Sequence, residues 1–307
     1  MKCLVAVIGP TAAGKSQLAL HLAQKFYGEI INADSRQVYR HMDIGTAKPS
    51  RAELSLIPHH LVNLINPDEP FSLALYQKLA YKAIEDIQGR NKLPLLVGGS
   101  GLYVWSVVEG WLIPQVPPNI EFRRGLETKA KDEGSYALFQ ELQKVDPVAA
   151  TTIMPGNLRR IIRALEIYHK TGRPVSERWQ KKSPTYPFLI IGLTMTRETL
   201  YRRIDLRIDE MLKQGLIDEV KDLMTKGYNL DLPSMSGISY KQIAMFIKGD
   251  IDLTTAAEQI KKETHRLARH QYAWFRPNDA RIHWLSNDDD ITSQAVNLVS
   301  SFLSGIN

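Results

Sequence analysis

The chain has 307 residues, of which 44% are hydrophobic and 23% charged, and its formal net charge is +6. The single cysteine, Cys3, excludes a disulfide framework and a cysteine-rich zinc site, and fits a reducing compartment. The apolar run Cys3–Ile8 is too short for a secretory signal, and no segment approaches the ~20 apolar residues of a membrane span. These features predict a cytoplasmic protein with two domains and no membrane partner.

The first third of the chain alternates short apolar strands with helices. The predicted elements are a strand at Cys3–Ile8, a helix at Ser16–Phe26, a strand at Glu29–Ala33, a helix at Ser72–Gln88 with Ser72 as its N-cap, and a strand at Leu93–Val97. Strands that alternate with helices predict a parallel sheet with crossover helices.

A proline-rich break at Pro114–Pro118 ends this pattern, and helical signals then continue to about residue 187. A strand at Phe188–Thr194 and one long amphipathic helix at Arg197–Lys226 follow, and Asp288–Asp290 is predicted as an acidic turn before a last helix. The predicted fold is therefore an α/β core of residues 1–115 and 186–307, interrupted by a helical insertion of residues 116–185.

The loop between the first strand and the first helix matches G-x-x-x-x-G-K-[ST], in the strand-to-helix context that the motif requires. Its backbone N–H groups can converge on phosphate oxygens, its lysine can reach the terminal phosphate, and its serine can bind Mg²⁺. The motif predicts a P-loop NTPase-like core that holds a diphosphate or a longer phosphate chain. The residues expected to bind it are Gly9, Pro10, Thr11, Ala12, Ala13, Gly14, Lys15 and Ser16, with Ser16 as the magnesium ligand.

The nature of that phosphate is a separate question. A motor protein or GTPase normally ends a strand with a magnesium-binding aspartate, whereas the third strand here is followed by Gly98–Tyr103, without a carboxylate. The available acid is Asp34, at the end of the second strand, and so at the edge of the sheet where ligands bind. Asp34 could deprotonate the acceptor of a small-molecule kinase or another nucleophile. It could also form an Asx turn or cap a helix.

The positive charge is concentrated in the insertion. Residues 157–182 contain eight Lys or Arg and two Glu, a balance of +6 that equals the excess of the whole chain. Arg159, Arg160 and Arg163 share one face of a predicted helix, which is either a solvated basic face or a contact to a phosphate backbone. A second basic and aromatic stretch runs over residues 265–275. We expect its histidines to pack or to contact phosphate rather than to bind a metal.

Taken together, the motifs resemble those of the tRNA dimethylallyltransferases (tRNA isopentenyltransferases). The resemblance spans nearly the whole chain and rests on Gly9–Ser16, Asp34–Tyr39, Met42–Pro49, Gly98–Tyr103, Arg163–Ile167, Arg207–Leu212, Ser239–Gln242 and Arg266–Gln271. It implies that the loop binds dimethylallyl diphosphate, that Mg²⁺ assists, and that the five-carbon group moves to N6 of adenosine-37, 3′ of the anticodon in tRNA.

The resemblance also implies roles for individual residues. Asp34 matches the family's general base, and Arg207 matches an arginine that contacts the diphosphate, although from the sequence alone it could be a solvated helix residue. The expected catalytic set is Asp34, Arg207, Lys15 and Ser100. The residues expected to contact the tRNA anticodon stem-loop are Asp34, Ser35, Arg36, Gln37, Arg123, Arg159, Arg160, Arg163, Tyr240, Lys241, Arg266 and Arg269. We expect a monomer.

Three other functions remain open at the level of the sequence. The first is a P-loop kinase of a small molecule or nucleoside, with ATP in the loop and the acceptor at Asp34. The second is a plant-type isopentenyltransferase that acts on free adenine nucleotides, against which the basic insertion argues. The third is an RNA-binding protein with an inactive loop, against which Lys15, Ser16 and Asp34 argue.

Overall fold

The computed structural model describes residues 2–178, 181–182, 186–286 and 290–306. The chain divides into a core unit, Met1–Val108 with Pro184–Asn307, and an insertion unit, Glu109–Ser183. The insertion unit begins at Glu109 rather than at residue 116, because the chain around Trp111 pairs with the end of the unit. Trp111 forms an isolated antiparallel bridge with Lys181, and the N–H of Lys182 donates to the carbonyl oxygen of Gly110 at 2.8 Å.

The secondary structure of the described residues follows the order of the chain. The strands are β1 (Leu4–Ile8), β2 (Gly28–Asn32), β3 (His59–His60), β4 (Leu93–Gly98), β5 (Phe188–Thr194) and β6 (Ile282–Ser286). The helices are α1 (Lys15–Lys25), α2 (Arg51–Leu56), α3 (Leu73–Gly89), α4 (Gly101–Val108), α5 (Ile120–Asp132), α6 (Ser135–Val145), α7 (Pro147–Thr152), α8 (Leu158–Thr171), α9 (Arg197–Lys213), α10 (Leu216–Thr225), α11 (Tyr240–Lys248), α12 (Leu253–Trp274) and α13 (Ile291–Ser304).

The strands form one parallel sheet in the order β3-β2-β4-β1-β5-β6. Strands β1, β2 and β4 are buried along their whole length, as expected of a parallel sheet covered on both faces. In the register, Ile8 pairs with Gly98 and Asn32 pairs with Val97. The three loops that follow β1, β2 and β4 therefore leave the same edge of the sheet side by side, which brings the P-loop, Asp34 and the glycine loop together.

Several predicted elements are confirmed within one residue at each end, namely the first three predicted strands and the strand at Phe188–Thr194. Ser72 caps α3, and its hydroxyl accepts from the N–H of Leu75 at 3.1 Å. Asp290 caps α13 by accepting from the N–H of Ser293, whereas the first two residues of the predicted acidic turn, 288 and 289, lie outside the described residues. No helix that the structure describes is long and apolar enough to cross a membrane.

The predicted single helix Arg197–Lys226 is wrong, because the structure divides it into α9 and α10 at Gly215. Gly215 has φ of 101°, a left-handed conformation that ends one helix and that residues with a Cβ rarely adopt. The apolar periodicity continues across the break, so the sequence pattern alone did not reveal it. Strand β6 was not predicted either.

The insertion unit is built from α5 to α8. Leu138, Phe139 and Leu142 of α6 pack with Ile161 and Leu165 of α8 in a small core of its own. The apolar side of α8 is thus buried. Arg159 and Arg160 of α8 are exposed, whereas Glu166 of the same helix is buried.

Candidate active site

The loop between β1 and α1 is the first part of the site. Gly14 is the N-cap of α1, and no side chain caps this helix, so its first N–H groups are available to an anion. Lys15 is half-buried, and its Nζ donates a hydrogen bond of 2.6 Å to the carbonyl oxygen of Pro10. Burial lowers the pKa of Lys15 to about 8, while the charge of Asp34 acts to raise it and that of Arg207 to lower it.

Two cavities of the core unit meet at this loop. The smaller, of about 310 Å³, contains Lys15 and Ser16 in its wall. The larger, of about 450 Å³, has an apolar side formed by α4, α9 and α12. The apolar residues of that side are Leu102, Ile204, Ile208, Met211, Leu267 and Trp274. Six residues line both cavities, namely Thr11, Asp34, Thr46, Ala47, Gly99 and Arg207.

Asp34 lies at this boundary and is held in a defined position. Its N–H donates to Oδ1 of the buried Asn32 at 3.0 Å, and Nδ2 of Asn32 donates back to the carbonyl oxygen of Asp34. Oδ1 of Asp34 accepts from the N–H of Arg36 at 2.8 Å, which is the Asx turn considered from the sequence. The second carboxylate oxygen makes no hydrogen bond to any residue that the structure describes. The turn therefore orients the carboxylate and leaves one oxygen able to accept a proton.

Three further expected residues stabilise the backbone around Asp34. The hydroxyl of Ser100 accepts from the N–H of Ser35 at 3.0 Å, which joins the loops after β2 and β4. Arg36 donates to the carbonyl oxygen of Pro233 at 2.7 Å. Gln37 donates from its side-chain amide to two carbonyl oxygens of the loop that lines both cavities. The structure thus gives all three residues supporting contacts, with Ser100 and Arg36 in the wall of the larger cavity and Gln37 in the wall of the smaller one.

Arg207 extends from α9 into the boundary between the two cavities. Burial lowers the pKa of its guanidinium from the ordinary value, and the nearby charge of Arg203 lowers it further. Within the described part of the chain, Arg207 forms no ion pair or hydrogen bond. A guanidinium in a cavity wall without a protein partner is well placed for an anionic ligand, since its planar donors suit phosphate oxygens.

Gln271 is a site residue to which the sequence gave no role, although it ends the motif Arg266–Gln271. It lies on α12 and is 8% exposed. Its Oε1 accepts from the N–H of Thr11 at 2.8 Å, and its Nε2 donates to the carbonyl oxygen of Gly99 at 3.0 Å. A Cβ on Gly99 would lie 2.2 Å from Nε2, so only glycine allows this approach. The motif did not reveal this contact of Gln271, because its partner Thr11 is 260 residues away.

Glu219 is a second residue that the sequence did not single out. Its carboxylate accepts from the N–H groups of Asp43, Ile44 and Gly45 at 2.9, 2.7 and 3.0 Å, and from the hydroxyl of Tyr240 at 2.6 Å. These four donors connect α10 and α11 to the loop that continues into the wall of both cavities. Glu219 therefore fixes the loop that carries Thr46 and Ala47.

The RNA-contact residues expected in the core unit differ in exposure. Tyr240 is 1% exposed, its hydroxyl donates to a carboxylate, and it belongs to the wall of the larger cavity, so its contact with RNA stays a prediction. Lys241 and Arg266 are exposed. Arg269 is also exposed, and its Nη1 donates to the hydroxyl of Tyr201 at 2.6 Å.

The arginines expected to contact RNA from the insertion unit divide into two kinds. Arg123 and Arg163 both bind the buried Glu166, at 2.7 and 2.5 Å. Burial alone would raise the pKa of Glu166, but hydrogen bonds from Arg123, the Asn119 N–H and Arg163 lower it to about 2. Arg159 and Arg160 are exposed, and their guanidinium groups have no partner among the described residues. The contact of all four arginines with RNA stays a prediction.

The histidines of α12 were expected to pack or to contact phosphate. The ring of His265 stacks on Tyr201, with centroids 3.9 Å apart and an angle of 4°, and its Nε2 lies 2.8 Å from Oδ1 of Asp205. Among the described residues, no group of three or more His, Cys, Asp or Glu side chains could hold a metal ion. His265 is thus a packed residue.

Comparisons with known proteins agree over almost the whole chain. The family model described as IPP transferase matches residues 37–278, and the model described as isopentenyl transferase matches residues 2–61. A tRNA dimethylallyltransferase of Dehalococcoides mccartyi is 51% identical over 98% of this chain and 92% of that protein. The crystal structure of a tRNA isopentenylpyrophosphate transferase from Bacillus halodurans is 40% identical, with a TM-score of 0.72 over 99% of this chain and 96% of that one. A eukaryotic dimethylallyltransferase acting on tRNA is 29% identical, with a TM-score of 0.87 over 99% of this chain and 80% of that one.

Proposed function

This chain belongs to the tRNA dimethylallyltransferase family, and we propose that it transfers the dimethylallyl group of dimethylallyl diphosphate to N6 of adenosine-37 in tRNA, releasing diphosphate. The observation that carries the proposal is the pair of cavities that meet at Asp34 and Arg207. One contains the phosphate-binding loop, and the other has an apolar side and lies beside a carboxylate. This arrangement suits a donor with a charged end and a hydrocarbon end.

The charged end of the donor would lie in the smaller cavity. The bond between the allylic carbon and the diphosphate oxygen breaks more readily if the charge that develops on the leaving oxygens is neutralised by preorganised groups. Lys15, the loop N–H groups and the guanidinium of Arg207 are the groups of this chain that can do so. Since these groups lie in one wall, the diphosphate would leave without a large rearrangement of the site.

The acceptor would enter the larger cavity. As the bond forms between the exocyclic N6 of adenine and the allylic carbon, the nitrogen must lose a proton. The carboxylate oxygen of Asp34 that makes no hydrogen bond in the described structure can accept that proton, while the other oxygen keeps its bond to the Arg36 N–H. The atoms then balance: a C–O bond breaks, a C–N bond forms, and the proton passes from N6 to Asp34.

A divalent cation fits the donor set of the smaller cavity. Ser16 is exposed there, and Mg²⁺ commonly binds through one protein oxygen, substrate phosphates and water rather than through a cage of carboxylates. When bound by Ser16 and the diphosphate, Mg²⁺ would supply further neutralisation of the leaving group.

The RNA would be held partly by the insertion unit. Arg159 and Arg160 are exposed cations on a helix whose apolar face is buried, which suits contacts to backbone phosphates. In the core unit, Lys241, Arg266 and Arg269 are the exposed candidates. We further propose that the enzyme is a cytoplasmic monomer.

The direct test is a transfer assay with radiolabelled dimethylallyl diphosphate, an anticodon stem-loop and Mg²⁺, without ATP. We expect label in the RNA, and none in a stem-loop that carries guanosine at position 37. A free adenine nucleotide offered as acceptor tests the plant-type activity. Steady phosphate transfer from ATP with no label in RNA would contradict the proposal and favour a kinase.

A further inference from the structure

Gln271 closes one end of the phosphate-binding loop. Its carboxamide forms two hydrogen bonds at once, accepting from the N–H of Thr11 and donating to the carbonyl oxygen of Gly99. These two contacts fix which end of the carboxamide faces the loop. If the carboxamide were turned by 180°, its NH₂ group would face the Thr11 N–H and its oxygen would face the carbonyl oxygen of Gly99, so neither hydrogen bond could form. The acceptor atom of Gln271 is therefore the one presented to the loop.

Thr11 lies at the outer end of that loop. In P-loop sites the lysine reaches the outermost phosphates, and here Nζ of Lys15 lies 2.6 Å from the carbonyl oxygen of Pro10, the residue before Thr11. The N–H of Thr11 would therefore be a donor for a phosphate at the outer end. Because the Thr11 N–H already donates to Gln271, the loop has one donor fewer at that end, and the side-chain oxygen Oε1 of Gln271 lies there instead.

The remaining groups around the larger cavity do not replace the lost donor. Arg36 and Arg207 line it. Arg36 already donates to Pro233 and Ser234, and Arg207, which also lines the smaller cavity, is engaged by the diphosphate itself in the proposed function. The nearby α9 and α12 contribute apolar residues to the same wall. A phosphate beyond the second would thus face a carbonyl oxygen and hydrocarbon, whereas an alkyl group there would be favourably buried.

We propose that Gln271 determines the specificity of the site for a diphosphate ester, by excluding a third phosphate and reserving that position for a hydrocarbon group. This inference deepens the proposed function and rests on it for the identity of the hydrocarbon. The role is one of selection: Gln271 shapes the loop through the Thr11 N–H and takes no part in bond breaking.

The test compares the binding of inorganic diphosphate and inorganic tripolyphosphate in the presence of Mg²⁺ by titration calorimetry. Gln271→Met keeps most of the side-chain volume and removes both hydrogen bonds. We expect the ratio of tripolyphosphate to diphosphate affinity to rise at least about tenfold, the value of one recovered hydrogen bond to a charged group. Gln259→Met, on the same helix and half-buried, is the matched control and should leave the ratio unchanged.

An affinity ratio in Gln271→Met equal to that of the unmodified protein would overturn the inference. Circular dichroism melting of each variant establishes that it is folded, and Gln271→Glu provides a second test that keeps the acceptor for Thr11. Its added negative charge should lower the affinity for tripolyphosphate more than for diphosphate, and an equal loss of both would also count against the inference. These measurements use neither RNA nor a prenyl donor, so they are separate from the success or failure of the transfer assay.

Discussion

Arg163 donates a hydrogen bond from Nη1 to Oε2 of Glu166 at 2.5 Å, three residues along the same helix. Glu166 is 2% exposed and also accepts from the side chain of Arg123 and from the N–H of Asn119. The carboxylate thereby connects α8 to the start of α5. Two of the cations expected to contact RNA thus hold the insertion unit together, and their contact with RNA stays a prediction.

Glu166→Gln should destabilise the insertion unit. The substitution removes the charge that pairs with Arg123 and Arg163 and leaves both guanidinium groups with a poorer acceptor. We expect a loss of about 2 kcal/mol in the local free energy of opening, within the range for a hydrogen-bonded charge. Hydrogen–deuterium exchange of α5 and α8 measures it. Glu127→Gln, an exposed residue of α5, should leave exchange unchanged.

The same carboxylate predicts a dependence of stability on pH. The pKa of Glu166 is about 2 in the folded protein, below the ordinary 4.5 that applies when the chain is unfolded. The stabilisation is therefore fully present above pH 4.5 and is lost as the pH falls toward 2. Exchange protection of the insertion unit should decrease over this window. In Glu166→Gln the decrease should be smaller, and an identical decrease in both proteins would contradict the assignment.

Arg159 and Arg160 should account for RNA affinity more than for stability. Replacing both with Ala should weaken stem-loop binding and reduce the slope of log affinity against log salt by roughly 0.7–0.9 for each lost phosphate contact. Thermal stability should change little, because neither side chain has a partner in the described structure. Lys25→Ala, at the end of α1 away from the loop, is the control. An unchanged salt slope would identify Arg159 and Arg160 as a solvated basic face.

The affinity for the diphosphate should fall as the pH rises through about 8. Burial lowers the pKa of Lys15 to that value in the ligand-free protein, and only the protonated amine attracts the phosphate oxygens. The dissociation constant of dimethylallyl diphosphate, measured by calorimetry between pH 6.5 and 9.5, should therefore increase above pH 8. Lys15→Ala should bind more weakly throughout and should lack this step. A step of equal size in Lys15→Ala would assign the titration to another group.

Glu219 should act on turnover through the loop that it holds. Glu219→Ala removes the acceptor of three backbone N–H groups, so Thr46 and Ala47 should lose their fixed position in the cavity walls. A displacement of about 1 Å can cost roughly 10²-fold in rate, and we expect a decrease of 10- to 100-fold in single-turnover transfer. Tyr240→Phe removes one hydrogen bond and should cost far less. Asp218→Ala, at an exposed neighbour, is the control.

A fall in thermal stability without a fall in turnover would show that Glu219 has a structural role only. A second measurement distinguishes a positioning role from a purely structural one. The affinity for dimethylallyl diphosphate should change less than the rate of transfer, because the P-loop does not depend on Glu219. Restoration of turnover by Glu219→Asp would support a positioning role, since the shorter carboxylate can still accept from the loop.

The parts of the site that the sequence predicted are those encoded locally. The P-loop follows from a contiguous motif, and the position of Asp34 follows from a strand that ends just before it. The alternative interpretation of Asp34, as a residue of an Asx turn, is confirmed. The turn is compatible with the proposed role as a general base, because the turn uses only one of the two carboxylate oxygens. Arg207 was identified through the resemblance, and the structure places it in the wall of both cavities.

The parts that the sequence did not predict depend on contacts between distant segments. Gln271 meets Thr11 from 260 residues away, and Glu219 meets Asp43 from 176 residues away, so neither leaves a local pattern. The burial of Tyr240 has the same origin. The break at Gly215 was missed because apolar spacing continues across it. The ion pair of Arg163 with Glu166 was missed because spacing shows which residues share a face of a helix but not which side chains they bind.

The central claim, that Asp34 accepts the proton of the attacking amine, is tested most directly by Asp34→Asn in single-turnover transfer. Asparagine keeps an oxygen that can accept from the Arg36 N–H, so the Asx turn and the loop should be preserved while the proton acceptor is lost. We predict a rate lower by ~10²–10⁴-fold, the usual range for a general base, with much smaller changes in the affinities for the stem-loop and the diphosphate. Transfer at a rate near that of the unmodified enzyme, or a loss of binding as large as the loss of rate, would contradict the claim and make Asp34 a residue of the turn alone.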